Sequence, residues 1–178
     1  MKYSLYSECY KPSEIKVLLI AEAPPPDGKT YFYSIPVKYS IPKSKIEDDT
    51  SLRATIFNHY FGRRPNDTYE YKQFLKCLQE RGVFLIDIIN ENLVIKKRGQ
   101  PFNEVNIKKL VSTKNLNDLK SRIKKLTTSD TKIIFLLPTG RPYINELRKE
   151  FSNVSFVNWK CFRLDIHEAQ ECKDKTSP

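Results

Sequence analysis

Apolar residues along this chain follow two different rhythms. Short unbroken runs, Val17-Leu18-Leu19-Ile20, Val83-Phe84-Leu85-Ile86 and Ile133-Ile134-Phe135-Leu136-Leu137, with a weaker one from Val154 to Val157, have the length and branching of strands covered on both faces. Between them the apolar positions recur every three or four residues: Leu52, Ile56, Phe57, Tyr60 and Phe61; Tyr71, Phe74, Leu75 and Leu78; Leu116, Leu119, Ile123 and Leu126; Tyr143, Ile144 and Leu147. That spacing predicts helices over 51–61, 67–80, 115–126 and 141–151, with a further short piece over 103–111. Thr50 or Ser51 supplies the first N-cap, and Gly62 and Gly82 stop the first two runs. Strands alternating with helices require parallel strands joined by right-handed crossovers, so the expected fold is a three-layer α/β/α sandwich with a central four-stranded parallel sheet.

One domain over residues 1–178 is expected, because a chain of this size fills a single core. Residues before Lys16 read as an irregular lead-in, with a possible helical turn from Pro12-Ser13-Glu14; residues 34–49 alternate proline with lysine and read as a long functional loop; residues 165–178 form a polar tail expected to fray. No internal repeat is present.

The first strand ends abruptly at EAPPPDG, Glu22 to Gly28, where three prolines remove backbone donors and fix φ. Three aromatics follow at once, Tyr31, Phe32 and Tyr33. If all strands are parallel, their carboxyl ends share one rim, the usual ligand site of an open α/β sheet. The loops on that rim, 22–45, 87–98, 139–141 and 159–167, carry carboxylates (Glu22, Asp27, Asp87, Glu91), aromatic rings and many bases.

The formal charge of +10 favours a polyanionic partner, nucleic acid before membrane. No apolar stretch is long enough to span a bilayer and residues 1–14 lack the apolar core of a secretory signal, so a cytoplasmic, membrane-free monomer is expected. Cys9, Cys77, Cys161 and Cys172 show no paired spacing and read as free thiols; His59 and His167 are too few for a histidine metal site. Neither G-x-G-x-x-G nor G-K-[ST] occurs, which disfavours dinucleotide and P-loop enzymes, and no cofactor is expected. Cations for phosphates, a ring face for a base and polar atoms for its edge are together what a nucleotide pocket needs.

Two stretches resemble the uracil-DNA glycosylase superfamily. Ala21-Glu22-Ala23-Pro24-Pro25 stands where that family ends its first strand in Gly-Gln-Asp-Pro-Tyr-His or Gly-Glu-Ala-Pro-Gly, and Tyr33-Ser34 resembles its base-stacking aromatic-Ser pair. Gly82-Val83-Phe84-Leu85-Ile86-Asp87 resembles the strand whose terminal Asn reads the pyrimidine edge. Pro138-Thr139-Gly140 after the third strand fits the family's order, and the likeness runs from Lys16 to about Trp159. This chain departs from the family in carrying Ala23 at the catalytic Asp position, in lacking the His-Pro-Ser segment where it has Asn158 to Arg163, and in lacking iron–sulfur cysteines.

The resemblance implies a DNA glycosylase-like protein that flips a nucleotide and hydrolyses the N-glycosidic bond of a damaged or deaminated base. It assigns Glu22, Asp27 and Asp87 as candidate catalytic groups. Ala23, Tyr33 (or Phe32) and Asp87 would bind the base, and Lys97, Arg98, Arg141 and Arg163 the phosphates. An ionised Asp only accepts hydrogen bonds, so Asp87 in place of Asn suits an amino-bearing base such as cytosine or adenine, unless it is protonated or activates water. The alternatives are a non-catalytic nucleic-acid-binding module with a degenerate pocket, and an enzyme of free nucleosides or nucleotides.

Overall fold

The computed structural model describes residues 3–24, 31–35, 51–90, 108–137, 143–158 and 162. Their elements run α1 (Tyr3–Glu8), β1 (Val17–Ala21), α2 (Leu52–Phe61), α3 (Thr68–Glu80), β2 (Val83–Asp87), α4 (Thr113–Leu126), β3 (Lys132–Leu137), α5 (Ile144–Glu150) and β4 (Ser155–Asn158). The strands form one four-stranded sheet in the order β2-β1-β3-β4, parallel throughout. The architecture is the three-layer α/β sandwich that the alternating pattern predicts.

Local chemistry fixes the helix ends. Ser51 caps α2 by accepting from the Ala54 amide, and Gly62 closes it at φ 67°, in the left-handed region. The Asp67 side chain accepts from the Glu70 amide to start α3, and Ser112 does the same for α4 through Asn115. The N-terminal residues differ from the irregular lead-in expected: Tyr3–Glu8 form a helical turn, and the turn at Pro12 is not helical. Gly82 has φ 73° and lies so close to the chain entering β1 that a Cβ there would stand 2.8 Å from the Glu14 carbonyl oxygen. Its own carbonyl accepts from the Lys16 amide at 2.8 Å, which sets the register of β1 against β2 from the first residue.

Right-handed crossovers in this strand order place α2 and α3 on one face of the sheet and α4 and α5 on the other. In keeping with this, α2 packs on α3 and Lys120 of α4 pairs with Glu150 of α5. On the first face Phe57 meets Tyr71 edge-on at 5.0 Å and Phe32 at 5.6 Å, and the Tyr71 hydroxyl donates to the Phe32 carbonyl at 2.6 Å. These contacts pin the aromatic stretch after β1 onto the α2–α3 pair. Phe162, beyond β4, comes back to stack on His59 of α2 at 3.7 Å, so His59 packs as a structural ring.

Candidate functional site

The rim of the sheet is built from the ends of β1 and β2. Ala21 and Asp87 are register partners, and the pairing continues one step further: Ile88 N–H donates to the Ala21 carbonyl at 2.8 Å and Ile89 N–H to that of Glu22 at 3.4 Å. Glu22 therefore stands one residue past the partner of Asp87. Because the connections leaving β1 and β3 run to opposite faces, the gap between their carboxyl ends is the topological switch point, where α/β proteins bind ligands. Glu22 sits at that gap, half-buried, and its carboxylate accepts a hydrogen bond from the hydroxyl of Tyr143, the buried residue before α5.

Asp87 is 6% exposed, the one buried acid or base among the described residues. Burial pushes its carboxyl from 3.8 up to about 7, against the lowering influence of the Arg122 charge; no hydrogen bond from a described residue reaches it. Arg122 spends its donors elsewhere. Its Nη1 donates to the Asp87 carbonyl at 2.7 Å and lies 3.4 Å from Asn90 Oδ1, Nη2 donates to the Ile88 carbonyl at 2.6 Å, and Nε donates to Asp118 at 2.8 Å. One side chain of α4 thus holds the turn that ends β2, where carbonyls at a strand end would otherwise need water.

A hollow of about 250 Å³ opens beside β2, with Lys11, Tyr31, Asp87, Asn90, Arg122 and Lys125 on its wall. That is just below the roughly 300 Å³ at which drug-sized pockets begin, a size suited to one small planar ring system. Cations from the turn after α1 and from α4, an aromatic side chain and a buried acid are brought together there by elements far apart in sequence.

The stacking residues expected from the sequence occupy other places. Tyr33 is 3% exposed and packed among Tyr10, Tyr31, Phe32 and Phe84, with ring centroids 5.0 to 6.0 Å away. Its hydroxyl is bound to the Leu85 backbone. Phe32 is 7% exposed and tied to Phe57. Neither lines the hollow; Tyr31 does. Ala23 is half-buried and packs against the core. Asp27, Lys97, Arg98, Arg141 and Arg163 lie outside the described residues. Arg122 was not singled out by sequence reasoning, since its place among lysines on α4 reads as an ordinary solvated face.

Among the described residues no group of His, Cys, Asp and Glu side chains could hold a metal ion, Cys9 and Cys77 are free thiols, and no helix is long and apolar enough to cross a membrane. No protein-family model, curated protein or solved structure matches the chain.

Proposed function

We propose that this protein is a DNA glycosylase-like protein that draws a nucleotide out of the helix into the hollow beside Asp87 and hydrolyses the N-glycosidic bond of a damaged or deaminated base. The observation that carries the reading is buried Asp87 at the carboxyl end of β2, on the wall of a hollow sized for one planar ring system and flanked by Tyr31, Lys11 and Lys125. The resemblance of its two strand-end motifs to uracil-DNA glycosylases supports the same class.

In this reading Asp87 reads the edge of the base and Tyr31 offers it an aromatic neighbour. Lys11 and Lys125 hold phosphates, and the second carboxylate, Glu22, stands at the β1–β3 gap and not on the wall of the hollow. The water oxygen bonds to C1′ as the C1′–N bond breaks; the electron pair leaves on the base nitrogen, and a carboxylate of the rim, Asp87 or Glu22, takes the proton of the water before the departing base is protonated. Tyr143 fixes the Glu22 carboxylate at the switch point. Asp27 is the other acid the resemblance offers for this step.

A second reading, a nucleic-acid-binding module without catalysis, is favoured by Ala23 at the position of the family's catalytic Asp and by the enclosure of Tyr33. Abasic-site formation measured on duplexes carrying uracil, hypoxanthine, thymine mismatches or alkylated bases separates the two. Cleavage of one of them supports the glycosylase. Salt-sensitive binding without cleavage supports the module. Absence of both removes the two readings together.

A further inference from the structure

Asp87 lines the hollow at 6% exposure, and no hydrogen bond from a described residue reaches its carboxyl. The Arg122 guanidinium acts on it through its charge, while the hydrogen bonds of its three nitrogens go to the Asp87 carbonyl and to the Ile88, Asn90 and Asp118 oxygens. Buried polar groups are almost always satisfied, and one without a partner among the described residues, beside an opening, points to a group that arrives from outside.

We propose that this hollow selects a planar ring edge presenting two neighbouring N–H donors, the N1–H and N2–H₂ pattern of guanine and of guanines damaged elsewhere on the ring, with the two Asp87 oxygens as acceptors. The inference rests on the reading of the hollow as a base pocket and names the edge it takes. A carboxylate has two acceptor oxygens and no donor, and two parallel N–H···O bonds are its strongest arrangement. Cytosine and adenine each offer an amino group, but beside it stands a ring-nitrogen lone pair that would face the second oxygen. In uracil and hypoxanthine a single ring N–H adjoins a carbonyl oxygen. The amino-bearing edge expected from the sequence therefore narrows to one with two adjacent donors.

The titratable and charged groups around the carboxyl are Glu8 from α1 and Lys11 just beyond it, Tyr31 and Tyr33 from the segment after β1, and Arg122 and Lys125 from α4. Protonation of Asp87 would give it a donor and let it pair with donor–acceptor edges, so the preference is strongest when the group is ionised.

The test is fluorescence anisotropy at mildly alkaline pH with short single-stranded oligothymidylates carrying one central dG, dI, dC, dA or abasic site, since a single strand removes most of the cost of unstacking. The wild-type protein should bind the dG strand about tenfold to a hundredfold more tightly than the dI strand, which lacks only the N2 amino donor. Asp87→Asn should erase the difference, but the comparison of dG with dI needs no variant. Equal affinity for dG and dI, with other bases still distinguished from the abasic strand, overturns the two-donor assignment and leaves the base pocket standing. Equal affinity for every strand, abasic included, overturns both.

Discussion

The hydroxyl of Tyr33 makes two hydrogen bonds to the backbone of Leu85, accepting from its N–H at 2.7 Å and donating to its carbonyl at 3.2 Å. β2 is the outermost strand on its side of the sheet, so these are groups that a further strand would have paired. An open edge invites pairing with other chains, and here a side-chain hydroxyl occupies it. Arg122 does the same for the Asp87 carbonyl at the end of the strand.

Tyr33→Phe separates this edge-capping role from a base-stacking one. Removing the hydroxyl leaves a buried donor and acceptor without their partner, so urea denaturation should show a loss of about 1–3 kcal/mol. A variant with an unchanged urea midpoint would show that the hydroxyl caps nothing.

Asp87 makes stability depend on pH in a defined direction. Its folded value of about 7 is above its ordinary 3.8, so the folded chain holds this proton more tightly than the unfolded one. The stabilisation is complete below the unfolded value and is lost as pH rises through the folded value. Between those limits the wild type should lose stability relative to Asp87→Asn by an amount on the order of 4 kcal/mol or less. Denaturation curves for the two proteins across that window check it, and parallel curves would contradict it.

Arg122 should show two separable effects. Arg122→Lys keeps a positive charge but loses the fork that holds two carbonyls, so it should lower stability by about 1–3 kcal/mol. Arg122→Gln also removes the charge that opposes burial, so the Asp87 midpoint should move above about 7. Carboxyl-carbon NMR titration measures the shift; a midpoint that stays in place in Arg122→Gln would dissociate the two residues.

Gly82→Ala places a Cβ against the Glu14 carbonyl at a left-handed backbone position. The conformation alone costs about 1–2 kcal/mol, and the contact adds to it. Thermal denaturation should show a clear drop, whereas Gly62→Ala, with open space around it, should show only the conformational part.

The parallel sheet could be read from the sequence because its strands are buried on both faces and therefore almost free of polar residues. The run Ile133–Leu137 lies within one residue of β3, and α3 and α4 begin within two residues of the starts that their apolar spacing predicts. The rim position of Glu22 and Asp87 followed from strand order alone. Periodicity reports that a residue is buried, however, and not which atom it meets. Tyr33 looked like a ring beside a loop, and its hydroxyl proved to be spent on a strand more than fifty residues away. Arg122 looked like one more cation on a charged helix, because nothing local to α4 records the carbonyls that end β2. Short polar α1 lacked any apolar stripe to announce it.

The claim on which the functional account turns is that Asp87 is a buried, titrating group open to a nucleotide base, and carboxyl-carbon NMR of Asp87 in the presence and absence of DNA tests it most directly. The account predicts a midpoint near 7 in the free protein, falling when an oligonucleotide with a central guanine binds, because two donors stabilise the ionised form. A midpoint in the ordinary carboxylate range, or one that no oligonucleotide moves, would contradict it.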